Sequence, residues 1–365
     1  MDPSAAMTAA ELAAALRQSR GFAHKRDIAD VVSTLAAALP GGHADLAQAV
    51  AVGDDCAAIA DPGGDGYLLF AIEGFVEDFV QRMPWFAGYC GVMVNLSDVA
   101  AMGGRPIAVV DALWSRGMDP AAQILAGMAE ASARYRVPIV GGHSNHRSDR
   151  AQLAVAVLGR ARRLLTSFNA RPGDRLLMAV DLRGVYQEPF AYWNASTTAP
   201  AARLRDDLEV LPQLAEAGLA DAAKDISMAG AIGTALMLLE SSRVGAVIDL
   251  AAVPRPGVPG VPAGAPSTLS DEPAALLRWL SAFPSYGFIL SVRPEHEAAV
   301  IARFHARELA CAAIGDVTAA PQLWLRLGGD QALLWDTAVE PFIGCPGPQA
   351  VPQPAPYLHT GPRDE

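Results

Sequence analysis

Helix-like and strand-like hydrophobic stretches alternate along this chain in two runs, separated by the turn Ala170-Arg171-Pro172-Gly173-Asp174. Proline and glycine at adjacent positions interrupt both a helix and a strand ladder, so the pattern restarts beyond them. In the first run, apolar spacing predicts helices over 9–16 and 28–39, split by the polar segment 18–27 and stopped at Pro40-Gly41-Gly42. Strands are expected over 49–59, 67–76, 107–113, 137–140 and 153–158, with helices over 85–102 and 121–135. Asp119 reads as the N-cap of the latter and Pro120 as its first helical residue.

The second run opens with a strand over 175–180 and a helical stretch over 201–220 interrupted at Pro212. It continues through strands at 222–226, 246–250, 287–292 and 311–317 and helices at 230–239, 274–283 and 295–306. The segment 254–266 is a Pro/Gly-rich loop, 323–335 a hairpin around Gly328-Gly329-Asp330, and the Pro-rich end is extended. A chain of 365 residues exceeds one ordinary core. The division expected is an N-terminal helical segment (1–45), a first α/β unit (46–165), a second (170–320), and a hairpin with a Pro-rich tail (321–365). The fold class is α/β (α+β) with two domains.

The formal charge of −11 bears on partners. A nucleic-acid binder needs a basic face to displace counterions, and an anionic membrane surface needs the same, so neither is expected. No apolar run reaches the ~18–20 residues of a membrane span. The N-terminal stretch lacks a basic region followed by an apolar core, so no signal peptide is expected. Cys56, Cys90, Cys311 and Cys345 are scattered without a C-x-x-C pair, which suits a reduced, cytoplasmic protein.

The chemistry-bearing residues are mostly acidic and sit at element ends. Gly53-Asp54-Asp55 falls in the first strand segment, where adjacent side chains point to opposite faces. Both carboxylates therefore serve one site only if the strand bends or ends there; the other reading of such a pair is a turn. Glu73 lies near the end of the second strand. Asn95 and Asp98 are three apart on an apolar helix and share a face, with Gly91 one turn earlier leaving that face open. A carboxylate in such a helix must be exposed, paired or liganded, because burying it alone is costly. Gly141-Gly142-His143 follows a strand directly, where glycines let a phosphate approach the backbone. Asp225 ends a short strand. Oxygen ligands with few thiols or imidazoles suit Mg²⁺, which also lets an acidic protein hold a polyphosphate.

In order and spacing, Gly53-Asp54-Asp55-Cys56-Ala57, Glu73-Gly74-Phe75-Val76-Glu77, Asn95-Leu96-Ser97-Asp98-Val99-Ala100-Ala101-Met102-Gly103, Val140-Gly141-Gly142-His143 and Lys224-Asp225-Ile226-Ser227 resemble the AIR synthase-related superfamily. Aminoimidazole ribonucleotide synthetase, thiamine-monophosphate kinase, selenophosphate synthetase and the hydrogenase maturation protein HypE belong to it, and the resemblance is strongest on the kinase side. It implies an N-terminal domain that pairs with its twin in a homodimer through a β-barrel-like interface, and a C-terminal α/β domain that covers ATP. It implies metal ligands at Asp54, Asp55, Glu73 and Asp98, nucleotide contacts at Asn95, Gly141, Gly142 and His143, and a catalytic Asp225 reaching in from the second domain. The activity implied is ATP- and Mg²⁺-dependent phosphorylation of a small metabolite, or activation of its amide or carbonyl oxygen by phosphorylation. His143 stands where the kinase has an acidic residue, and Ser227-Met228-Ala229-Gly230 where it has Ser-Asp-Gly-Leu. Those departures keep a third reading open, a nucleotide-binding partner protein without turnover.

Overall fold

The computed structural model describes residues 7–38, 53–256 and 273–345. Two helices come first, α1 (Ala9–Arg17) and α2 (Arg20–Ala38). The first unit then runs β1 (Ala57–Ala60), β2 (Tyr67–Phe75), α3 (Glu77–Arg82), α4 (Pro84–Ala101), β3 (Arg105–Arg116), α5 (Met118–Tyr135), β4 (Ile139–Asn145) and β5 (Arg147–Ala161). Its strands form one sheet in the order β1-β2-β5-β3-β4, antiparallel except for the β3–β4 pair. Along β2 the period-2 pattern sends Tyr67, Leu69 and Ala71 inward and leaves Phe70 and Ile72 exposed on the opposite face.

Helix α4 is the axle of the molecule. Pro84 starts it, where a missing N–H costs nothing, and every residue from Phe86 to Ala101 is buried. On one side it packs against α5 through small residues. A Cβ on Gly88 would run into the Ile124 carbonyl, and one on Gly127 into that of Trp85. On the other side Gly91 fits against Val155 and Leu153 of β5. Gly91 therefore does not open the face shared by Asn95 and Asp98, as its position had suggested; it seats the helix on the sheet.

The second unit comprises β6 (Arg175–Val180), β7 (Val185–Tyr186), β8 (Tyr192–Asn194), α6 (Ala201–Leu208), α7 (Val210–Glu216), β9 (Ala222–Asp225), α8 (Gly230–Ser241), β10 (Gly245–Asp249), α9 (Pro273–Leu280), β11 (Phe283–Pro284), β12 (Gly287–Val292), α10 (Glu297–His305), β13 (Ala310–Thr318), β14 (Gln322–Leu327) and β15 (Asp330–Asp336). Its main sheet has the order β15-β14-β10-β13-β6-β12-β9, and β7, β8 and β11 form a small separate sheet. The hairpin β14–β15 continues this main sheet, and α1 packs on it: Leu12 and Leu16 of α1, with Phe22 of α2, share one core with Trp335 and Phe342.

Several expected boundaries move. The polar segment 18–27 is helical from Arg20, because Phe22 anchors it against Phe342 at 5.1 Å while Arg26 lies over Trp335. Gly117, at φ 94°, caps α5 in place of Asp119, which falls in the first turn. The helical stretch after 201 breaks at Glu209 and not at Pro212, which sits in the first turn of α7. Gly53-Asp54-Asp55 lies in a bend before β1 and not within the strand, and Gly141-Gly142-His143 lies inside β4, hydrogen-bonded in register with β3, and not after it. Pro40-Gly41-Gly42, the start of the 49–59 strand, most of the 254–266 loop and the Pro-rich end fall outside the described residues. Among the described residues no helix is long and apolar enough to cross a membrane.

The α4–α5 contact yields a stability prediction. Gly88→Ala should destabilise the protein by about 1–3 kcal/mol through overpacking. Gly329→Ala, where a Cβ meets nothing within 4 Å, should stay within about 0.5 kcal/mol of the parent. Urea denaturation of both variants checks the pair.

Candidate active site

The site forms where the bend before β1, the end of β2, the middle of α4 and the end of β9 meet. Gly53 adopts φ 126°, a conformation that favours glycine, and the Cys345 sulfur packs where a Cβ would stand. The bend directs the two following carboxylates differently. Asp54 is tied to Ser167, whose backbone N–H donates to Oδ2 at 2.8 Å and whose hydroxyl donates to Oδ1 at 2.7 Å. Asp55 turns toward β9: the Lys224 ammonium donates to its Oδ1, and the Asp225 backbone N–H donates to Oδ2 at 3.2 Å. Both side chains of the Asp55–Lys224 pair are nearly sealed, at 5% and 7% exposure.

Asp98 and Asp225 complete a cluster with Asp55, and carboxylate oxygens of the three lie within 4.8 Å of one another. Asp98 is buried on α4, and its Oδ2 has no hydrogen-bond partner. These residues close one end of a cavity of about 400 Å³ that also takes in Asp54, Glu73, Lys25 and Ser227. The segment 342–345 borders it as well. Glu240 of α8 accepts the backbone N–H groups of Phe342, Ile343 and Gly344, and Ile343 lines the cavity.

Burial and crowding of like charge shape the electrostatics. Burial, then the charges of Asp225, Glu73 and Asp55, push the Asp98 carboxyl well above its ordinary value. Burial and Asp55 do the same to Asp225. Asp54 rises to about 6, chiefly through burial, although Lys224 opposes the shift. Burial also raises Glu73, with Lys25 acting against it. Burial alone would lower Lys224, but Asp55 and Asp54 outweigh it and raise its pKa, so the ammonium is retained. Burial and the surrounding carboxylates push the Cys56 thiol well up, which leaves oxygen as the donor type of this site.

Of the residues singled out in the sequence, Asp54, Asp55, Glu73, Asp98 and Asp225 share this cavity. Asn95 does not line it; its amide donates to the Gly91 carbonyl at 2.8 Å, and its Oδ1 is buried without a partner. Gly141, Gly142 and His143 are exposed on the edge strand β4, outside the cavity, with the His143 ring 5.7 Å from that of Trp114. Asp54 has both oxygens engaged by Ser167 and stands apart from the three-carboxylate cluster, as does Glu73. Sequence reading missed Lys224 as the internal counter-ion, Ser167 as the anchor of the bend, and Lys25 as the cavity's second lysine. The only signal for Lys224 was a lysine inside an otherwise apolar strand end.

This chain belongs to the AIR synthase-related family. The AIR synthase related protein N-terminal domain matches residues 53–161 and the C-terminal domain of the same family residues 187–327. An uncharacterized protein of Synechocystis sp. is 46% identical over 91% of this chain and 97% of its own length. A thiamine-monophosphate kinase of Synechococcus elongatus is 27% identical over 77% of this chain and 88% of its own. Among solved structures, Thermotoga maritima PurL complexed with ATP superposes with a TM-score of 0.61 at 19% identity, covering 87% of this chain. The chain spans 49% of that protein's length, and the likeness is one of fold. The architecture is thus the two-domain, mixed α/β fold of this family.

The cluster makes two measurements informative. Asp98 and Asp225 of the cluster, and Asp54 beside it at about 6, hold protons in the folded state at pH values where the unfolded chain has lost them, so metal-free stability should fall as pH rises from about 4 through 6 and beyond. A divalent cation needs the deprotonated ligands, so the rise in Tm caused by millimolar Mg²⁺ should be larger at pH 8 than at pH 5.5. Asp98→Asn keeps the shape and removes the carboxyl whose ionisation at higher pH adds a buried like charge. It should raise the metal-free Tm, by an amount equivalent to about 0.5–2 kcal/mol, and abolish the response to Mg²⁺. Thermal denaturation with and without EDTA decides both; an undiminished Mg²⁺ response in Asp98→Asn would remove this residue from the ligand set.

Proposed function

We propose that this protein is an ATP- and Mg²⁺-dependent enzyme that transfers the γ-phosphoryl group to an oxygen of a small metabolite. The observation that carries the reading is the convergence of Asp55, Asp98 and Asp225 from three separate elements at the end of a cavity, with the Asp98 Oδ2 buried and unpartnered. An all-oxygen donor set of this kind fits Mg²⁺. Those three residues would hold the ion, which supplies charge neutralisation at the phosphate oxygens. The kinase relative and the ATP-complexed PurL structure support a nucleotide as the co-substrate.

The chain's own residues then divide the work. Asp54, fixed by Ser167, holds the bend that presents Asp55. Lys224 pairs with Asp55 and orients it, and Lys25 adds positive charge near Glu73 and Asp225. Asp225, expected to be the catalytic residue, lies in the three-carboxylate cluster and on this reading helps hold the ion. Glu73 is the cavity carboxylate outside that cluster, and its raised affinity for a proton suits it to accept one. In the step proposed, the acceptor oxygen bonds to the γ-phosphorus as the bond to the β–γ bridging oxygen breaks. ADP leaves, and the acceptor proton passes to Glu73. Positioning and charge carry such a reaction more than covalent catalysis does.

The outer face of the first sheet supports a homodimer. Phe70, Ile72, Ile107, Val110, Val140 and Leu158 are exposed there, with Ile72 63% and Val140 64% accessible. A contiguous apolar face of this kind needs a cover, and a second copy of the chain supplies one. On this reading Gly141, Gly142 and His143, at the edge of the same sheet, meet nucleotide only through the dimer.

Two experiments test the proposal. ATP with Mg²⁺ at 100 times Kd should stabilise the protein by about 2.7 kcal/mol, and ATP in EDTA should not. With an acceptor found by phosphate release over a metabolite panel, Glu73→Gln should lower kcat by roughly 10²–10⁴-fold while the Mg²⁺ response in thermal denaturation persists. ATP stabilisation that is equal in EDTA would overturn the metal-dependent reading. For the dimer, light scattering of Ile72→Lys should report a monomer where the parent is dimeric.

A further inference from the structure

The same cavity is also lined by aromatic side chains. They form a belt of rings: Phe75 from β2, Phe79 from α3, Phe86 from α4, Tyr192 from β8 and Phe283 from β11. The rings wedge one another edge to face. Phe79 meets Tyr192 at 4.9 Å with planes at 75°, and Phe86 at 5.9 Å with planes at 82°. Tyr192 meets Phe283 at 6.0 Å and 89°, and Phe190 stacks on Tyr192 at 5.1 Å. Such a lattice is pre-formed, so a guest orders little of it on binding. Burial pushes the Tyr192 phenol up to about 12, which keeps it a neutral donor.

The charged side chains of the lining are mostly carboxylates. Five carboxylates line the cavity against two lysines, and both lysines are engaged among them: Lys224 with Asp55, Lys25 in the neighbourhood of Glu73 and Asp225. Among the described residues no arginine lines it. Arg20, which acts on the Tyr192 phenol and donates to the wall residue His24, approaches the rings from outside the lining. A phosphate group on the acceptor would therefore meet a lining of five carboxylates whose two lysines are already engaged, and burying an unpaired anion costs several kcal/mol. A flat ring, neutral or cationic, gains from both the apolar wall and the ring faces. The volume of about 400 Å³ suits a molecule of one or two rings.

We propose that the aromatic chamber is the acceptor subsite, and that the acceptor is an aromatic or heteroaromatic small molecule, neutral or cationic, that carries no phosphate and directs a hydroxyl or carbonyl oxygen toward Asp55, Asp98 and Asp225. This deepens the phosphoryl-transfer reading above and rests on it for the word acceptor. It also separates this protein from a kinase whose substrate is already a phosphate ester.

Matched probes test it on the full chain. Isothermal titration calorimetry in Mg²⁺ buffer should show 2-naphthylmethanol binding at least tenfold more tightly than its phosphate monoester. Tyr192→Leu and Phe283→Leu, both at half-buried positions, should each weaken the alcohol about tenfold while leaving the Mg²⁺ response of Tm intact. Equal or tighter binding of the phosphate ester, or displacement of the alcohol by adenosine, overturns the assignment. So does unchanged affinity in both variants. Loss of the Mg²⁺ response in the parent protein would instead count against the phosphoryl-transfer reading, so the two failures are told apart.

Discussion

A nearly sealed ion pair, Asp55 with Lys224, joins the two units of this protein, and the site is organised around it. One partner comes from the bend before the first strand and the other from the edge strand of the second sheet, 169 residues away. Either charge buried alone would be strongly destabilising, so the two units are held in the one arrangement that brings them together. The pair also offsets part of the repulsion among Asp55, Asp98 and Asp225. What remains is a crowded carboxylate cluster in which one oxygen of Asp98 has no partner.

The rest of the architecture serves to hold this pair and its neighbours at fixed distances. Helix α4 is buried along almost its whole length and carries Asp98 into the junction between the cores of the two units. Glycines let it approach α5 and β5 closely, so its position is set by backbone contact and not by adaptable side chains. On the opposite side Glu240 binds three successive backbone amides of the 342–344 segment, and that segment in turn braces Gly53 through Cys345. The acidic cluster is held rigidly by these contacts, and the aromatic lining by its interlocked rings. Carboxylates and interlocked rings thus line the same rigid cavity.

Local chemistry made much of the fold legible. The strand at 175–180 and the strand at 287–292 were expected with the boundaries they have, because apolar β-rich runs there are bounded by turn residues. Asp98 was visible because a carboxylate in an apolar helix has few acceptable fates. Gly53-Asp54-Asp55 was understood only conditionally, since the two carboxylates could serve one site only if the chain bends there. It does bend, and it sends Asp54 to Ser167 and Asp55 to Lys224, a division that no spacing encodes. Gly91 misled, and Gly141-Gly142 proved to lie within β4 and not after a strand, for the same reason. A glycine is equally suited to an open face, a phosphate loop or a tight contact, and its neighbours in space choose among them.

Sequence alone determined that the chain forms two α/β units, that its acidic residues sit at element ends, and that their order matches one family. Those are properties of periodicity, turn chemistry and motif spacing, which are local along the chain. Only the tertiary structure decided which of the acidic residues converge, that a lysine lies among them, and that Phe75, Phe79, Phe86, Tyr192 and Phe283 form a single wall. These outcomes depend on the packing of elements distant in sequence and on a backbone bend at Gly53, because side-chain direction is set by the register of whole strands and helices against one another.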